Sequence, residues 1–218
     1  MNGVYKMRFS LFFVLITCGI NAWILTPLLC AQSIRQIGVS PQGPIIRASV
    51  DPQLFAKNYQ DQMMPEWCWA ASISNIFAYY GHPVRQDRVV QAVYGTIVNL
   101  PALAARVIAT EVNRPWIDDH GTKFQSHLTA AYDAQAGVLA INNFYIINEL
   151  RQGHPLLVCN THHCMVVTAV DYTPTQVLQV WVFDPFPGSP QVHALPPIEA
   201  IPAQQGGQLT FVGALTVR

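Results

Sequence analysis

Gln62-Met63-Met64-Pro65-Glu66-Trp67-Cys68-Trp69-Ala70-Ala71-Ser72-Ile73-Ser74-Asn75-Ile76-Phe77-Ala78-Tyr79-Tyr80-Gly81 is the stretch around which the chain can be read. Ile73, Ile76, Phe77 and Tyr80 recur at helical spacing, which predicts an amphipathic helix. Pro65 near its start and Gly81 at its end stand where helix punctuation puts them. Cys68 then falls in the first turn, where the positive end of the helix and its unpaired N–H groups stabilise an anion. A lone cysteine on an apolar helix is more often packing than chemistry. Two features speak against that here: Cys68 lies between two tryptophans, and Gln62 lies six residues upstream.

Downstream, shorter helices are predicted over 85–94 and 101–113. Asn142 can cap a helix that runs to Gln152, and Gly153 ends it. After Pro155 the pattern changes to apolar runs over 156–159, 164–170, 177–183 and 209–217, which predict strands. Helices first and strands later make an α+β arrangement, with an antiparallel sheet in the C-terminal part. A cleft between the two parts is the natural place for chemistry.

Upstream, Lys6 and Arg8 precede an uncharged, mostly apolar run from Phe9 to Leu29, and Cys30 and Ala31 follow. This is the pattern of a secretory signal peptide, with cleavage expected after Ala31. A retained anchor is the competing reading, because about 20 apolar residues can span a bilayer. Pro27 breaks the run and favours cleavage. Leu28-Leu29-Cys30 hints at a lipoprotein box, although Leu29 is bulky for it. Residues 32–51, rich in Pro, Gly and Ser, read as an extended N-terminal arm. Residues 52–218 read as one domain with a sizeable core. Taking Lys6 and Arg8 from the 12 basic residues leaves 10 against 12 acidic ones. That balance gives no electrostatic reason to expect nucleic acid or an anionic membrane as partner. A secreted or periplasmic monomer is expected.

A cysteine nucleophile needs a base, a group to orient it and a donor for the oxyanion. His163 directly precedes a predicted strand, and Asp184 ends the next one. Neighbouring antiparallel strands can bring them together, so that the carboxylate holds one imidazole nitrogen and the other faces the thiol. His162 competes for the base's role. Cys159, His162, His163 and Cys164 could also be read as a zinc cluster, but so short a turn cannot easily aim four side chains at one centre. No cofactor or metal is expected. His82, His120, His127, His154 and His193 lie in polar loops or at helix ends and read as surface residues.

With Cys18 and Cys30 set aside, three cysteines remain. An odd count in an exported protein suggests one bridge and one free thiol. A hairpin with Thr161 and His162 at its tip would set Cys159 opposite Cys164. The bridge would then brace the strand of His163 without touching the cleft, and Cys68 would stay free.

Gln62 to Ser72 resembles the papain active-site signature: Gln, five residues, then Cys-Trp-Ala-x-Ser. Leu150-Arg151-Gln152-Gly153-His154-Pro155-Leu156-Leu157-Val158 with His163-Cys164-Met165-Val166-Val167-Thr168 resembles the second signature of bacterial papain-like peptidases. Val182-Phe183-Asp184-Pro185 resembles their closing motif. The resemblance spans roughly 55–190 and is nearest to the branch of plant-pathogen effector proteases, with bacteriocin-leader peptidases as cousins. It implies a papain-like fold, with the nucleophile helix packed against the C-terminal sheet. It implies Cys68 as nucleophile, His163 as base, Asp184 as orienting group and Gln62 as oxyanion donor with the Cys68 N–H. Trp69 would pack behind the nucleophile, and bulky Trp67 would narrow the cleft. The implied activity is that of an exported cysteine peptidase acting on proteins or peptides through a thioester acyl-enzyme. A Cys-His-Asp amidase, a transglutaminase-type enzyme and a non-catalytic secreted binding domain are the competing readings.

Overall fold

The computed structural model describes residues 34–102 and 111–218. The expected signal peptide lies outside these residues, as does most of the helix expected over 101–113. The nucleophile-bearing helix is α2, Cys68–Tyr79, preceded by the short α1, Pro52–Lys57, and followed by α3, Gln86–Tyr94. Gly81 closes α2 at a positive φ of 85°, a conformation that costs glycine little. Helix α4, Asn143–Arg151, starts at Asn142, whose side chain accepts from the Phe144 N–H. The four-residue α5, Pro197–Ala200, and a short 3-10 helix, Ala203–Gln205, follow near the C-terminus.

Nine antiparallel strands form one sheet. They are β1 (Ile34–Ser40), β2 (Gly43–Ser49), β3 (Pro115–Ile117), β4 (Lys123–Asp133), β5 (Leu156–Asn160), β6 (Cys164–Tyr172), β7 (Val177–Phe183), β8 (Val192–Ala194) and β9 (Leu209–Val217). The order is β1-β2-β6-β5-β9-β4-β3, with β7 on β6 and β8 on β7. Strand β6 is the hub. Cys164 to Val167 pair with β5, Ala169 to Tyr172 pair with β2, and β7 is paired over both stretches. Eight of its nine residues are buried, as a strand paired along both edges and covered by α2 requires.

The four strands expected in the C-terminal part form where the apolar runs put them. The N-terminal part is less purely helical than expected. The stretch read as an extended arm is a β-hairpin, and β2 pairs with β6 from Ile46 to Ser49. Arg47 fixes it with two bonds to Asp171, at 2.6 and 2.7 Å, and Trp181 Nε1 donates to the same carboxylate at 2.8 Å. Strand β4 has no counterpart in the sequence reading. Phe124, Ser126 and Leu128 are the buried positions of its first half, but Ser126 breaks the apolar alternation. Its hydroxyl is satisfied by the Val112 carbonyl instead.

Candidate active site

Every residue of α2 from Cys68 to Phe77 is buried. Trp67 caps the helix without a side-chain acceptor, so no capping group consumes its first-turn N–H groups. One turn on, the Ser72 hydroxyl donates to the Cys164 carbonyl at 3.2 Å. The Cys164 N–H donates to Cys68 Sγ at 3.4 Å. Two bonds therefore seat the start of the helix against the start of β6, beside His163.

The register of β6 and β7 explains why His163 and Asp184 meet. Val166 pairs with Phe183, and continuing that pairing sets Phe186 opposite His163. Asp184 is then two positions away on the same face, a diagonal neighbour within reach of long side chains. His163 Nε2 lies 2.5 Å from Asp184 Oδ1, and the ring of Phe186 stands edge-on to His163 at 6.1 Å. With Nε2 held, the other ring nitrogen is left free for Cys68, whose thiol helps to raise the ring. His162 does not reach the carboxylate; its backbone N–H caps on Asn160 at the hairpin tip.

Electrostatics follow the geometry. Burial disfavours a charged His163, but the hydrogen bonds to Asp184 and Cys68 outweigh it and lift the ring from 6.5 to about 9. Burial alone would raise the Asp184 carboxyl. Hydrogen bonds from His163, the Phe186 N–H and His193, with the charge of His163, hold it below the usual range.

Gln62 sits in a loop that is clamped twice. Asn75 of α2 exchanges two bonds with the backbone of Gln60, at 2.8 and 2.9 Å. Gln86 of α3 accepts from the Met63 N–H at 2.9 Å and donates to the Asp61 carbonyl at 2.8 Å. The Gln62 N–H donates to the Pro185 carbonyl at 2.7 Å, and the Tyr59 hydroxyl donates to the Asp184 carbonyl. The loop thus ties α2 to the turn that carries Asp184. The Gln62 side chain differs from the expected free donor. Its Nε2 donates to the carbonyls of Met64 at 3.1 Å and Pro65 at 2.8 Å, and its buried Oε1 has no partner. Turning the amide over would set Oε1 against two carbonyl oxygens, so the placement is the favourable one.

A cleft of about 150 Å³ opens at Cys68. Trp69, Pro101, Ala102, Gln135 and Thr210 line it, together with the β5–β6 hairpin from Cys159 to Cys164. The sulfurs of Cys159 and Cys164 stand at bonding distance, 2.08 Å, with Cα atoms 4.1 Å apart. The register is the expected one, Cys159 opposite Cys164 and Asn160 bonded to His163. The pair does not lie clear of the cleft as expected; it forms part of the wall. Trp67 differs too. It is buried, donates to the Val98 carbonyl at 2.7 Å and does not line the cleft. The zinc reading finds its donors committed elsewhere, the sulfurs to each other and His163 to Asp184.

Three histidines read as surface residues have carboxylate partners. His82 lies 3.0 Å from Asp118, His154 lies 2.7 Å from Glu149, and His193 Nε2 lies 3.3 Å from Asp184 Oδ2. The last belongs to the site and had no sequence signal of its own, because it depends on the pairing of the three-residue β8 with β7.

The model of the Peptidase_C39 like family matches residues 54–200. Among solved structures, the chain is similar to a double glycine motif protease from an AMS/PCAT transporter, solved in complex with the leader peptide. The two are 15% identical over 78% of this chain and 92% of that one, with a TM-score of 0.41. It is also similar to UfSP from C. elegans, 14% identical over 84% of this chain and 37% of that one, with a TM-score of 0.46. No curated protein matches the sequence.

Proposed function

Because the chain belongs to the Peptidase_C39 like family, and so to the papain-like cysteine peptidases, we propose that it cleaves peptide bonds with Cys68 as nucleophile. The observation that carries this reading is the convergence of Cys68, His163 and Asp184 from the start of α2, the entry to β6 and the exit of β7. The Cys68 thiolate attacks the carbonyl carbon of the scissile bond. His163, held as an imidazolium by Asp184, gives its proton to the leaving amine as the C–N bond breaks, and a thioester remains. Water then attacks the thioester, His163 takes up the proton, and the thiolate leaves.

The transient oxyanion forms at the first turn of α2, where the Cys68 N–H can receive it. Gln62 joins it by releasing the longer of its two bonds, the one to Met64. The substrate is a protein or peptide that enters the cleft in an extended form. Cys68→Ala should abolish hydrolysis of a peptide mixture while thermal unfolding stays cooperative. Undiminished cleavage by that variant would remove the assignment.

Export with cleavage near Ala31 belongs to the same reading. The basic start and apolar run support it, and a paired Cys159 and Cys164 suit an oxidising compartment. Sequencing the N-terminus of protein recovered outside the cytoplasm tests this. A chain that still starts at Met1 would contradict it.

A further inference from the structure

Three adjacent strands bring one ionisable side chain each to the same face: His163 just before β6, Asp184 just after β7 and His193 on β8. Val182 pairs with His193, so Asp184 is the diagonal neighbour of His193 just as it is of His163. The carboxylate is divided between them. Oδ1 accepts from His163 Nε2 at 2.5 Å and from the Phe186 N–H at 2.9 Å. Oδ2 faces His193 Nε2 at 3.3 Å. The other nitrogen of that ring, Nδ1, lies 3.0 Å from the Ala194 carbonyl oxygen. A carboxylate and a carbonyl only accept. Both contacts can be hydrogen bonds at once only when both ring nitrogens carry hydrogen; a neutral imidazole can make one of them.

We propose that His193 is a positioning residue for the Cys68–His163 pair: as an imidazolium it bridges Asp184 Oδ2 to the carbonyl of its own strand and holds the carboxylate with Oδ1 turned to His163. This rests on the thiol-peptidase reading above. Among the described residues, Asp184 faces His193 directly, and His163 lies across that carboxylate. Strand β7 sets uncharged Val182 opposite it. From the loop before α2, Tyr59 bonds the Asp184 carbonyl and has Asp61 behind it at 2.9 Å.

The test needs no known substrate. The rate of Cys68 alkylation by iodoacetamide is followed by mass spectrometry in unreduced wild type, His193→Ala and His193→Gln. The range is about pH 5 to about pH 8, where a histidine changes charge. The wild type should exceed His193→Ala by roughly three- to tenfold at the acidic end, the scale of one hydrogen bond, and the ratio should shrink as pH rises. His193→Gln donates to Oδ2 at any pH and should recover most of the acidic rate. It keeps the test decisive where the alanine variant fails to fold. A wild-type to alanine ratio that does not change with pH, or a glutamine variant no faster than alanine, overturns the proposal. Absence of Cys68 labelling in the wild type contradicts the thiol-peptidase reading and takes the proposal with it, so the two failures are told apart.

Discussion

Asp184 binds His163, His193 and the Phe186 N–H through one buried carboxylate, and its charge sets the working range of the site. His163 is raised to about 9 in the fold. Its ion pairs therefore stabilise the folded chain fully below the ordinary histidine value and are lost as pH rises through about 9. Asp184 is depressed, so its contribution is present above the usual carboxylate range and is lost as pH falls. The alkaline limb of peptide hydrolysis should lie near about 9. Asp184→Asn should move that limb downward by removing the charge that holds the imidazolium; a limb that stays in place would contradict this. Gln62→Ala should lower turnover by about 10²-fold, the scale of one oxyanion donor. A change within about twofold would leave Gln62 only its bonds to the Met64 and Pro65 carbonyls. Cys68, His163 and Asp184 were legible because each stands at an element boundary that periodicity marks. His193 was not, since three strand residues carry no period. Nor were the commitments of the Gln62 amide, which depend on a loop clamped by Asn75 and Gln86 from two helices.

The hairpin of β5 and β6 shows what an element adds. Its apolar runs and two-residue tip predicted the register, and with it the pairing of Cys159 and Cys164. Position in the cleft wall was not predicted, because it depends on how α2 docks through Ser72. Strand β4 escaped because Ser126 occupies a core position that only a hydrogen bond to Val112 makes tolerable. Thiol counting on an unfolded, unreduced chain that starts at Gln32 should find one free thiol, that of Cys68. Three would mean that the pair is reduced. The loop between Cys159 and Cys164 is short, so replacing both by serine should cost about 2 kcal/mol or less. A larger loss in thermal unfolding would mean that the pair also sets the docking of the hairpin.

At the scale of the molecule, the sheet is assembled from both ends of the described chain around β6. Helix-then-strand order in the sequence conveyed the α+β class, and the family resemblance implied the packing of α2 on the sheet. It could not convey that β2 returns to pair with a strand more than 120 residues later, since the pairing of Arg47 with Asp171 is a tertiary event. A chain starting at Ile34 should unfold at the temperature of one starting at Gln32. One starting at Pro52 lacks the hairpin, bares one edge of β6 and leaves Asp171 without Arg47. It should melt several degrees lower, as the loss of a buried pairing predicts, or aggregate through the exposed edge. Equal melting temperatures would make the hairpin a mere appendage. All of this converges on one thiol held between a helix start and a histidine. The most direct test is to treat the unreduced protein with a peptidyl epoxide and map the adduct by mass spectrometry. A single adduct on Cys68, absent from Cys68→Ala and formed far more slowly in His163→Ala, is the predicted result. An unmodified Cys68, or an equal rate of modification without His163, would contradict it.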